Sequence, residues 1–325
     1  MEPAIASDDL AGQPGVAGSH ARRAALLVLL GSVLFGTTGT ARALLAPNAS
    51  NVSVGAVRVI VGGFSLLAVM PWIGGSRPRT VALCRRKPIF LMGCATALYQ
   101  VCFFAAMAMA GIALGTLVTV GSVPIISGLL GWIVLGHRPS RTWVAATAVA
   151  LVGLMLLCAD ALGGSGGGIG VLLGLVAGLS NATYNVVSRP LLDDGVEPME
   201  LVSASFMLAS VLLVPGLLTQ PLGWLGTTAG VALASYLGTA TAGLANTWLA
   251  RGVGSLGPGP AGTLMLLDPV TATLLGILVL GEPIVPTAAL GMVLVLAGLA
   301  IQAAVPRRRT PTIAVTLPQE LPAGE

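Results

Sequence analysis

Long apolar runs separated by short polar or charged turns dominate this chain, and their lengths predict helices that cross a bilayer. Residues 88 to 136 contain no Asp, Glu, Lys or Arg, and neither do residues 201 to 250. Each run suffices for two crossings of about 20 residues joined by a turn. Turn and charge signals divide the chain into ten predicted spans at 24–44, 54–72, 89–110, 114–135, 142–160, 169–188, 200–219, 228–250, 261–280 and 285–304. The polar, Pro-bearing ends, residues 1–21 and 305–325, are expected to be disordered.

The pattern repeats. Residues 124–154 and 269–299 align at a fixed offset of 145, and eleven of the 31 pairs are identical, including the "VLG" that ends each span. "RALL" after the first span likewise echoes "RPLL" after the sixth. The chain therefore divides into a five-helix half at 22–160, a Gly-rich linker at 161–168 and a second five-helix half at 169–304. Five is odd, so the second half must enter the membrane inverted. Inverted repeats of this kind build transporters with a site near the midplane.

Charge sets the orientation. With the N-terminus inside, fourteen of the sixteen Lys and Arg residues fall on the cytoplasmic side; Arg42 lies outside and Arg58 within the second span. This bias predicts both termini in the cytoplasm. The basic loop "GHRPSR" faces in, while its copy "GEPIVP" has lost every Arg and faces out.

Composition narrows the function classes. The chain has 325 residues, 55% hydrophobic and 9% charged, with a mean hydropathy of +0.93. Soluble domains carry about 25% charged residues, so a multi-pass protein of the plasma membrane is expected. Four scattered cysteines show no CxxC spacing, which gives no metal site and no disulfide framework. "GVGSLG" at 252–257 fits the dinucleotide fingerprint by letter but joins two membrane helices instead of a strand and a helix. No HExxH occurs, "GGSGG" at 163–167 fits GxSxG only by letter within the Gly-rich linker, and His20 and His137 sit outside the bilayer core. An intramembrane enzyme, the main rival class, has little equipment here, and a receptor or scaffold role makes poor sense of the repeat.

The segments "AVRVIVGGFSLLA", "ATYNVVSRPLL" and "LDPVTATLLGILVLGEP" resemble the ten-helix EamA-type members of the drug/metabolite transporter superfamily, over roughly residues 24 to 304. The resemblance implies an all-α membrane fold of two inverted five-helix repeats and the transport of amino acids or other metabolites, with efflux favoured by analogy. It also implies a structural role for Arg58, because similar proteins carry an Arg there whatever they transport. The first half departs from the pattern: Val123 replaces the acid before Pro, and His137 replaces the Glu after Gly136.

Asp268 is the centre of the candidate chemistry. It stands in a leucine-rich span beside Pro269, with no charged residue between Arg251 and Glu282 apart from itself. An unpaired carboxylate in lipid needs a partner, a proton or a job. Either it caps a restarted half-helix, or it binds substrate and carries a coupling proton. In the sixth span Asn181, Tyr184, Asn185 and Ser188 form one polar stripe at helical spacing. Such a stripe faces protein or a water-filled cavity. Tyr99, Gln100, Asn246, Trp248 and Thr38 join Asp268 and the stripe as candidate pocket residues, with spans one, three, six, eight and nine around the pocket. The expected substrate is a small neutral or zwitterionic solute such as an amino acid. No cofactor is expected, and the partners expected are that substrate and membrane lipid, with no nucleic acid.

Overall fold

The structure is a computed structural model that describes residues 14–70, 76–110, 112–136, 138–157, 159, 168–281 and 286–304. Among the described residues every regular element is helical. In chain order these are α1 (Pro14–Leu45), α2 (Asn51–Val69), α3 (Arg77–Leu83), α4 (Lys87–Ala110), α5 (Ile112–Leu135), α6 (Arg141–Leu157), α7 (Gly168–Asp193) and α8 (Pro198–Leu217). There follow a short 3₁₀ turn (Gly223–Gly226), α9 (Thr228–Tyr236), a π-helical segment (Leu237–Ala245), α10 (Asn246–Leu256), α11 (Pro258–Leu264), α12 (Leu267–Leu280) and α13 (Pro286–Ala304).

Seven helical stretches among the described residues are long and apolar enough to cross a bilayer, and α6 and α13 are shorter apolar helices. Leucines and valines line their outer faces, as at Leu278 (78% exposed) and Val211 (71%), which is the surface a lipid tail covers. In lipid, helices gain little from burying more leucine against each other, so close backbone approach drives packing. The crossing of α6 and α13 shows this. A Cβ on Gly153 would meet Val295 N at 2.6 Å, and one on Gly298 would meet Ala146 O at 2.7 Å. These two glycines are counterparts at the offset of 145.

The packing has a two-fold pattern. α2 lies on α8 and α6 on α13; α4 and α5 both pack on α7, while the π segment, α10 and α12 pack on α1. Exchanging the halves maps the pairs α2–α8 and α6–α13 onto themselves and swaps the contacts on α7 with those on α1. Even the helix ends match: α5 and α12 both stop at a left-handed glycine, Gly136 (φ 71°) and Gly281 (φ 72°), where an L side chain would be strained. One buried cluster joins α2, α4, α7 and α8 around Met92, Leu201 and Phe206. A second joins α1, α6, α10, α12 and α13 around Val28, Leu154, Val253 and Leu266.

Several expected boundaries change. α1 begins at Pro14, so residues 14–21 are helical where disorder was expected; proline fits a first turn because its missing N–H has no helical partner there. α7 runs on through Pro190 to Asp193, where Arg189 pairs with Asp193 at 2.8 Å. The expected eighth span is a relay of α9, the π segment and α10. Asn246 Nδ2 donates to Thr241 O (3.4 Å) and Ala242 O (2.9 Å), serving carbonyls that the wider turn leaves less well paired. The short helix α3 was not expected at all. The expected linker at 161–168 lies almost wholly outside the described residues, as do His137 and Glu282.

Candidate functional site

The expected ninth span is broken, and the break begins with Pro269. Proline has no N–H to offer the carbonyl of Met265 four residues back, and its ring crowds that oxygen. α11 therefore ends at Leu264 and α12 starts afresh at Leu267. Met265 O accepts from Asp268 N instead, at 3.0 Å. That shift frees Leu264 O, which accepts from Ser32 Oγ of α1 at 3.4 Å. Backbone freed in a membrane helix must be re-satisfied in this way by neighbouring hydroxyls.

Asp268 lies in the first turn of α12 but does not cap it. The N-cap position is Leu266, and no side-chain hydrogen bond closes this helix end. The carboxyl group instead borders a cavity of about 40 Å³, lined by Tyr99 of α4, Thr119, Val120 and Val123 of α5, Asn181 of α7, Gly262 of α11, and Met265. A water needs only about 10–15 Å³ of such space. The cavity takes a few waters at most, so this conformation is contracted around its polar centre.

Arg58 of α2 is the nearest countercharge. Its guanidinium acts electrostatically on both Asp268 and Tyr99. Among the described residues, however, the one ion pair within 4.0 Å is Arg189–Asp193. Arg58 Nε is buried with no hydrogen-bond partner there. A buried cation and a carboxyl group thus share one region without touching.

Asp268, Asn181 and Tyr99 line the cavity together. Asn185 supports them from one turn away by donating from Nδ2 to Asn181 Oδ1 at 3.0 Å. Tyr184 does not line it. Its hydroxyl meets Ser205 Oγ of α8 at 3.3 Å inside the core, because the stripe on α7 is wide enough to serve two neighbours. Gln100 is 3% exposed and donates to Gly55 O of α2 at 2.8 Å, which joins two helices. Asn246 serves the π segment, Trp248 is half-buried on α10, and Thr38 Oγ1 is buried with no partner among the described residues.

Sequence reasoning missed the contribution of α5. Thr119 and Val120 carried no signal of their own, but Val123 did: it is the counterpart of Asp268, so a two-fold arrangement brings both to one site. Gly262 is the companion of this approach, with Pro124 Cα 3.4 Å from where its Cβ would stand.

Comparison with known proteins adds what the geometry lacks. The model of the EamA-like transporter family matches residues 22–159 and again 168–303. An "Uncharacterized transporter YwfM" of Bacillus subtilis (strain 168) is 36% identical over 285 residues, covering 87% of this chain and 95% of that protein. A solved chain described as "Crystal structure of protein" superposes with a TM-score of 0.73 at 21% identity, over 86% of this chain and 96% of its own. That likeness concerns the fold.

Proposed function

We propose a transport cycle for this chain, which belongs to the EamA-like transporter family and is a multi-pass membrane transporter. Ten crossings form two inverted five-helix repeats in the plasma membrane, with both termini in the cytoplasm. A small neutral or zwitterionic metabolite, an amino acid or similar solute, binds between the repeats beside Asp268, Asn181 and Tyr99. The site then opens to alternate faces as one repeat rocks against the other. Export is the favoured direction, and no bond of the cargo is broken.

The observation that carries this reading is the placement of Asp268. It stands at the start of a restarted half-helix, borders a cavity shared by both repeats, and has no fixed partner. A group that is free to bind a solute or a proton in one conformation can release it in the other.

Two experiments test the reading in order. Metabolite profiles of cells with and without the protein, inside and outside, identify the cargo. Vesicles with an imposed pH gradient then compare wild type with Asp268→Asn, which keeps the shape but cannot titrate. A proton-coupled carrier loses gradient-driven accumulation in the variant and keeps downhill exchange. Normal accumulation removes Asp268 from the coupling step.

A further inference from the structure

Helix α3 is fastened to the protein by one face only. Thr80 and Leu83 are buried, with Thr80 Oγ1 donating to Met70 Sδ at 3.1 Å. The N–H of Ser76, which caps α3, donates to the buried carboxylate of Glu200 on α8 at 2.7 Å. The other face is open. Arg77 and Val81 lie one turn apart on α3, and Arg85 follows in the turn that ends it.

Beside that face lies a trough of about 570 Å³, walled by Leu67, Arg77, Pro78, Val81, Ala82 and Arg85. Its surface is apolar apart from the two guanidinium groups that flank it. Arg77 is partly committed, since Nε and Nη2 donate to Leu67 O and Ala68 O at 2.9 Å and close the end of α2. Arg85 is not. Among the described residues neither it nor the adjoining Arg79, Arg86 and Lys87 makes an ion pair, and Glu200 is spent on Ser76. Exposed Val69, Val81, Phe90 and Leu91 place the trough where the lipid surface runs.

We propose that this trough is a binding site for an anionic phospholipid. The phosphate headgroup meets Arg85 and the free edge of Arg77, and one acyl chain lies against Leu67, Val81 and Ala82. Charge decides the occupant. Five basic residues within 77–87 form a juxtamembrane cluster of the kind that recruits anionic lipid, and an apolar floor of this size gives nothing to a free phosphate. A zwitterionic lipid would fit the floor and bring the same phosphate, but its own ammonium group cancels that charge and is repelled by the basic cluster. The proposal is independent of the transport reading.

Native mass spectrometry of the purified full-length protein, titrated with phosphatidylglycerol or with phosphatidylcholine, tests it. Arg85→Gln is expected to retain phosphatidylglycerol about five-fold less well, the size of one basic contact at an anionic surface. Ala82→Trp fills the trough without changing charge and is expected to lose the same adduct. Phosphatidylcholine retention should change little in Arg85→Gln, and both variants should keep the wild-type thermal unfolding midpoint, which shows that they remain folded. Arg138→Gln, a basic residue elsewhere, should retain phosphatidylglycerol normally. Wild-type retention by both trough variants overturns the site. So does an equal loss in Arg138→Gln, which means diffuse attraction only, or a dimer in the wild-type spectrum that Ala82→Trp abolishes, which means a second copy occupies the trough.

Discussion

Val123 and Asp268 stand 145 residues apart at equivalent positions of the two repeats, and both line the same cavity. One presents a methyl surface and the other a carboxyl group. The two repeats therefore bring equivalent positions to one site but differ there in chemistry and in backbone, since α5 runs unbroken through Pro124 while the helix at Pro269 restarts.

That relationship makes Val123 a sensitive position. Val123→Phe should obstruct the cavity without removing any polar group, so cargo flux in vesicles should fall to background. Overpacking should cost about 1–3 kcal/mol in stability, which leaves folded protein to assay. Normal flux by a folded variant would mean that cargo takes another path.

Tyr184 offers the opposite test. Its hydroxyl bonds Ser205 within the core, so Tyr184→Phe should transport normally and lose about 0.6 kcal/mol, the usual worth of such a bond between membrane helices. Thermal unfolding in detergent reads the loss. A Phe variant with full stability and impaired flux would return this hydroxyl to the substrate path.

One end of the bundle is held by side chains that cross between the halves. Trp224 Nε1 donates to Ser53 Oγ at 3.1 Å, Ser50 Oγ donates to Gln220 Oε1 at 3.0 Å, and Thr37 and Tyr236 share a bond of 2.6 Å. If these bonds keep that face shut, Trp224→Ala with Tyr236→Phe should expose the cavity. In a background lacking native cysteines, a cysteine at Thr119 should then react several-fold faster with an impermeant thiol reagent applied from the outside. An unchanged rate would assign the closure of this face to helix packing.

Topology has its own test. A cysteine within residues 282–285 should react with the same reagent from outside intact cells, and one within 138–141 should not. Reaction of both from one side would contradict the inverted arrangement.

The sequence alone determined the helical membrane class, the two-fold internal repeat and the helix break at Asp268–Pro269. These follow from local chemistry: uninterrupted apolar runs must satisfy their backbone within the helix, and a proline inside such a run removes one bond of that ladder. Tertiary structure decided the partners. Asn181 and Tyr184 belong to one polar stripe, yet one faces the cavity and the other Ser205, because periodicity fixes a direction from the helix axis and not the neighbour found there. Val123 looked like a lost acid and proved to share the wall of the cavity with its counterpart. The π segment before Asn246 and the outward face of α3 were hidden for the same reason: each depends on which helices pack alongside, and that is set by close contacts between residues far apart in the chain.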